Sequence, residues 1–293
     1  INSSQKVENL REAVLHVATK SEVLVFVDSD ARPGPNWLRD LVSPLRDRDV
    51  GAATGYRWFI AKRPSFAAAL LSCWNASIAS ALGPNTASNF CWGGSTAVRW
   101  DTFEALKIRE KWLGTVSDDF AVTRIMSEAG LPIVFVPQAL TASIDDCSLR
   151  EMLEFTTRQV KITRVYQPDL WLMSFLGSGL FCFVMLWSLA IIFLSPRNDL
   201  SVWIAILTVV IVSTLSVGKA YLRLKAVRTV LKNYEEELQK QTLSQLTLWL
   251  LTPFIFLANS VAALFSRRMT WRGIGYVMNS PSKTTVMGNS NER

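Results

Sequence analysis

Three short clusters carry side chains able to act together on a charged substrate. Asp28-Ser29-Asp30 follows the apolar run 23–27, which puts two carboxylates at a strand's carboxyl end, where ligand crevices open in α/β sheets. Two hard oxygen ligands suit Mg²⁺ or Mn²⁺, ions that also hold a diphosphate; Asp and Ser are equally ordinary turn residues. Ser117-Asp118-Asp119 opens a helix. There Ser is a good cap and acids favour the helix dipole, yet a carboxylate so placed can also act as general base on a hydroxyl. Arg158 and Lys161 lie three apart on one face of a basic helix. They can clamp an anionic leaving group or flank a membrane, and Arg158 also has i,i+4 spacing to Glu154.

The elements that must position these clusters alternate. A helix over 5–19 has Val7, Leu10, Val14 and Val17 on one face, and 23–27 reads as a buried strand. Pro33-Gly34-Pro35 leads into a helix near 37–45, followed by a strand over 50–59. A helix over 66–82 is Ala-rich, carries Trp74 and is suited to lie against a membrane. Gly93-Gly94 marks a sharp turn before a strand over 95–99. Asp101 to Glu104 has capping-box spacing. A helix over 117–129 is closed by Gly130, with a strand over 133–136 beyond it. Ser148 to Glu151 is a second capping box, opening a basic helix to Tyr166. Alternating strands and helices predict an α/β domain with a largely parallel sheet.

Beyond that domain the chain changes character. It has 293 residues, 49% hydrophobic and only 19% charged, and the excess is concentrated late. The stretches 170–194, 200–222 and 243–265 approach or exceed the roughly 20 residues that cross a bilayer as helix. Lys219 in the second is near enough to its end to snorkel, and the third is interrupted at Thr252-Pro253. The net charge of +7 does not mark a nucleic-acid binder. Arg158, Lys161 and Arg164, then Arg223, Lys225 and Arg228, then Arg267, Arg268 and Arg272 flank the apolar stretches, as at a cytoplasmic membrane surface. His16 is the only histidine, which excludes a His-based triad or multi-His metal site. Cys73, Cys91, Cys147 and Cys182 are too dispersed for a zinc site or disulfide framework, and read as reduced thiols. The polar tail after Asn279 is expected to be disordered.

The order of the clusters resembles glycosyltransferases of the family-2 type, and most closely the ceramide glucosyltransferase-like branch, family 21. The likeness rests on VLVFVDSDARPGPNWL (23–38), CWGGSTAVRW (91–100), SDDFAVTRIMSEAGLPIVFVP (117–137), TRQVKITRVY (157–166) and MTWRGIGYVM (269–278). It implies an incomplete GT-A (Rossmann-like) nucleotide-sugar domain over 1–147, a basic interfacial helix over 148–168, a membrane region over 169–265 with two to three apolar helices, and a basic tail over 266–293. By the same resemblance Asp28 and Asp30 match the metal and diphosphate motif, with Asp30 the more direct ligand. Asp119 matches the catalytic base and Asp118 its acidic neighbour. Arg158-x-x-Lys161-Ile162 stands where the family has (Gln/Arg)-x-x-Arg-Trp, so a bidentate fork and an indole are replaced. Lys6, ahead of Asn9-Leu10, resembles a family lysine. Such enzymes begin with strands that hold the uridine base, so the chain is expected to be an amino-terminally truncated fragment.

The resemblance thus implies a membrane-integral inverting hexosyltransferase with its catalytic domain facing the cytoplasm. A UDP-sugar is the donor, Mg²⁺ or Mn²⁺ the cofactor, and a ceramide-like or other membrane lipid the acceptor. A processive polysaccharide synthase, a polyprenyl-phosphate sugar transferase and a non-catalytic homologue are the alternatives. Charge places both 223–242 and the tail inside, whereas a third crossing would put the tail outside. A re-entrant segment bent at Pro253 resolves that conflict and lets Trp271-Arg272-Gly273 approach the site.

Overall fold

A computed structural model describes residues 2–289. Helix α1 (Gln5–Ala13) begins where the Ser4 hydroxyl accepts from the Val7 N–H. Next come β1 (Val23–Phe26), β2 (Ala31–Arg32), α2 (Trp37–Val42), β3 (Ala52–Thr54), β4 (Arg57–Ile60) and α3 (Phe66–Ala79). The second half of the domain has β5 (Thr96–Arg99), α4 (Trp100–Ala105), α5 (Ile108–Lys111), α6 (Asp118–Glu128), β6 (Ile133–Phe135) and β7 (Thr141–Ile144). Phe26, Phe103, Trp112 and Met126 lie in a core between the sheet and its helices, joined by Val7 from α1.

The sheet is mixed, not largely parallel. Strands run in the order β1-β5-β3-β6, and β5 is antiparallel to both neighbours, with Ala97 opposite Val25 and Ala53. Among the described residues only β3 with β6 and β4 with β7 pair in parallel. The cause is the turn at Trp92–Ser95, closed by Ser95 N–H on Trp92 O, which feeds β5 back between two strands already laid down. The single strand expected over 50–59 is broken at Gly55-Tyr56, and β4 joins a second sheet of order β2-β7-β4. A side chain at Gly55 would lie 2.2 Å from Ala139 O, so the corner needs glycine.

Other expectations are corrected by packing. Helix α3 turns most of its apolar residues inward rather than presenting them on a surface. Leu70, Leu71, Cys73 and Trp74 are all buried, because β4 covers one side while later helices close on the rest. Helix α4 starts at Trp100 without the Asp101 box. Asp101 instead accepts from Thr102 N–H and pairs with Arg99. The box at Ser148 does form, with both halves in place, and opens α7 (Leu149–Tyr166).

Two long helices come after it, α8 (Pro168–Leu194) and α9 (Leu200–Val230), each long and apolar enough to cross a membrane. Leu176, Leu180, Phe183 and Trp187 on α8, with Trp203, Ile204 and Leu207 on α9, are exposed, as lipid-facing side chains would be. After α10 (Glu235–Lys240), the third apolar stretch is a bent pair. Helix α11 (Thr242–Thr247) and its short extension to Leu250 meet α12 (Thr252–Phe265) at 54°, beside Pro253.

Both arms of that pair return to the α/β domain. Gln241 accepts from Trp58 Nε1 at 3.0 Å and donates to Phe59 O at 2.9 Å, and Gln245 donates to Ser72 Oγ at 3.0 Å. At the other end Phe256 stacks on Trp74 of α3 with ring centres 5.0 Å apart, and Arg164 of α7 holds Leu264 O at 3.2 Å. Residues 279–289 belong to a three-stranded sheet, β8 (Arg268–Trp271), β9 (Ile274–Ser280) and β10 (Lys283–Asn289), rather than to a disordered tail. Met269, Tyr276 and Met278 pack on Val116, Ile162 and Tyr166, enough apolar contact to order a segment whose composition is mostly polar. The last four residues of the expected tail lie outside the described residues.

Candidate active site

Helix α6 aims its amino terminus at the Gly93-Gly94 turn. Ser117 caps it, its hydroxyl meeting both Phe120 N–H and Asp119 Oδ1. Asp119 Oδ1 also accepts from Phe120 N–H at 2.8 Å, and Oδ2 accepts from Gly93 N–H at 3.0 Å. A carboxylate oxygen offers about two lone-pair sites. Oδ1 is therefore used up, while Oδ2 keeps one acceptor position in a carboxylate fixed from three directions. Capping and proton acceptance, alternatives in the sequence, are compatible in one residue pair.

Asp28 and Asp118 are brought together by Lys6. Its Nζ lies 2.9 Å from Asp28 Oδ1 and 3.2 Å from Asp118 Oδ1. Burial opposes the charge on Lys6, but Asp118, Asp28 and Asp119 together outweigh it and hold its pKa above the ordinary lysine value. Burial pushes the Asp118 carboxyl up, Asp119 and Asp28 add to that, and Lys6 opposes them. The turn needs both glycines. A Cβ at Gly93 would sit 2.7 Å from Asp118 Oδ2 and from Lys6 Nζ, and one at Gly94 would sit 2.3 Å from the Trp92 ring and 2.8 Å from Asp28 Oδ2.

Asp30 stands apart. It is exposed and makes no ion pair among the described residues. Asp28 has one oxygen committed to an ammonium, and no three His, Cys, Asp or Glu side chains are gathered as a cage among the described residues. That donor set fits an ion that takes one or two carboxylates and completes its shell with substrate phosphates. It does not fit a metal held by protein alone.

Arg158 and Lys161 diverge despite their spacing. Lys161 Nζ donates to Arg268 O at 2.8 Å. Arg158 is not paired with Glu154, which binds Arg150 instead. Its guanidinium lies 5.3 Å from the Phe155 ring centre and 5.9 Å from that of Trp271. Trp271-Arg272-Gly273 does approach this helix. Sequence reasoning gave no role to Arg57 or Trp92. Arg57 lies over Phe59, Trp92 and Phe155, and the only local signal was one arginine inside the apolar run 56–60.

A family model described as Glycosyl transferase family 21 matches residues 2–283. Comparison with curated proteins gives no significant match.

Proposed function

The chain belongs to glycosyltransferase family 21, and we propose that it moves a hexose, glucose first among candidates, from a UDP-sugar to a ceramide-like or other membrane lipid with inversion. The observation that carries this reading is the Asp119 carboxylate, fixed by Ser117, Phe120 and Gly93 with one Oδ2 acceptor position left. The lipid hydroxyl attacks the anomeric carbon as its proton passes to Asp119. The bond from that carbon to the diphosphate oxygen breaks, and its electron pair leaves with UDP. Lys6 balances charge between Asp28 and Asp118, so that Asp119 can accept a proton beside two further acids. Arg158 would offset the charge that the leaving group gains. Asp30, with Asp28 beside it, would hold Mg²⁺ or Mn²⁺ arriving with the donor, and the ion would offset charge on the departing diphosphate.

Membranes containing the protein, given radiolabelled UDP-glucose and Mg²⁺ or Mn²⁺, are expected to yield one labelled glycolipid. Asp30→Ala is expected to abolish the label. Metal-independent transfer that survives in that variant would refute the metal assignment, and no transfer from any nucleotide sugar would refute the activity.

The same reading sets a topology. Helices α8 and α9 cross the bilayer, α11–α12 dips in and returns, and the α/β domain shares the cytoplasmic side with the β8–β10 sheet. Support comes from the contacts of both arms with one domain and from the basic residues at that level. In sealed right-side-out vesicles, an impermeant maleimide is expected to label Arg197→Cys at once and Ser282→Cys only after permeabilisation. Immediate labelling at 282 would show a third crossing.

A further inference from the structure

Arg57 and Arg158 meet over the Phe155 ring with no ion pair of their own among the described residues, and Arg272 directly follows Trp271, whose ring faces Arg158. Arg57 comes from β4, Arg158 from α7, and Arg272 from the β8–β9 turn, where its backbone is left-handed at φ 49°. The Arg57 guanidinium lies 4.7, 5.4 and 5.0 Å from the ring centres of Phe59, Trp92 and Phe155, and Arg158 shares Phe155 with it. Burial first, then the like charges of Arg57 and Arg272, depress the Arg158 pKa to about 10, and Glu154 only partly opposes them. Among the described residues none of the three makes an ion pair, and Arg57 Nε is buried with no acceptor. Aromatic faces attract guanidinium groups but supply no acceptor for their N–H donors. Like charges gathered round an unmet buried donor are what a bound anion would satisfy.

We propose that Arg57 and Arg272 complete, with Arg158, one site for a phosphate group, and that its occupant is the diphosphate of the nucleotide. The assignment rests on the transferase reading above. Trp92 locates the site. One part of its indole abuts Gly94, beside Asp28, while its ring faces Arg57. Arg57 therefore lies across a single ring from Asp28, and Arg158 joins it through their shared Phe155 ring. Arg272 enters only because β8–β10 folds back on α7, so the carboxyl-terminal sheet is part of the site. An anionic lipid headgroup offers the same phosphate chemistry, but nothing at this level ties it to Asp119.

The test is calorimetric titration of inorganic pyrophosphate into the detergent-purified protein, without divalent cations. Arg57→Ala and Arg272→Ala are each expected to weaken pyrophosphate binding at least tenfold and to raise KM for the nucleotide sugar, with Arg57→Lys in between. Arg272→Ala changes an exposed turn, so it keeps the test open if Arg57→Ala fails to fold. Pyrophosphate binding and KM unchanged in Arg272→Ala, with transfer intact, would overturn the inference and leave the transferase reading standing. Arginine-dependent pyrophosphate binding without transfer from any donor would do the reverse. Binding to micelles containing phosphatidic acid, with none to pyrophosphate, would reject the nucleotide as occupant.

Discussion

Asp119→Asn is expected to lower kcat by about 10²–10⁴-fold, the range that a positioned general base supplies, with little change in KM for the nucleotide sugar. The amide keeps the shape of the carboxylate but only one acceptor oxygen, so it can still accept from Phe120 N–H at the Oδ1 position while its NH2 group replaces the oxygen that accepts from Gly93 N–H. What it lacks is the basic lone pair at Oδ2. Asp118→Asn is the control. Asp118 is buried, bonded to Lys6 and already biased towards its neutral form by burial, so an amide there removes charge without removing the acceptor position at Asp119. Its kcat is expected to fall less than that of Asp119→Asn. Steady-state kinetics on both variants, alongside thermal unfolding to confirm folding, check the pair. Equal losses would mean that the two carboxylates work as one unit, and near-normal turnover in Asp119→Asn would remove Asp119 from the mechanism.

The features legible in the sequence are those with local causes. A strand must end where Asp28-Ser29-Asp30 begins, and Ser117 must cap the helix that starts at Asp118, because both depend on neighbouring residues. The apolar stretches were legible because bilayer thickness imposes length, and the bend because Pro253 lacks an N–H. Long-range pairing was not. Strand β5 has four residues, and nothing in Thr96–Arg99 says that it inserts antiparallel between β1 and β3. Strand β2 has only two residues, too few to show an alternation. The β8–β10 sheet was mistaken for a tail because it contributes few inward side chains, chiefly Met269, Tyr276, Met278 and Thr284. Arg57 was missed for a related reason. Its position beside Arg158 depends on α7 docking over β4, a contact between residues about a hundred positions apart.

Lys6→Met is expected to cost about 3 kcal/mol, the lower end of what removing one partner of a buried pair costs, because Lys6 and Asp28 keep 27% and 24% of their side-chain surface exposed. The sharper signature is in pH. In the native protein Lys6 has a raised pKa. Its contribution is therefore complete below the unfolded lysine value of about 10.4 and is lost only as pH rises through the higher folded value. Asp118 is also raised, and Lys6 is the largest influence holding it down. Without the ammonium, the folded state binds the Asp118 proton more tightly than the unfolded chain, whose carboxyl titrates near about 3.9. Stability of the variant should then fall as pH rises from that value through the raised folded one. Melting temperatures at pH 5, 8 and 11 read this directly. Lys6→Met should be most stable at pH 5 and should lose the native protein's alkaline decline, while Lys6→Arg should track the native profile between pH 5 and 8. A variant whose stability does not change between pH 5 and 8 would mean that Asp118 stays ionised without Lys6. The lysine would then be a spectator to the acids it touches.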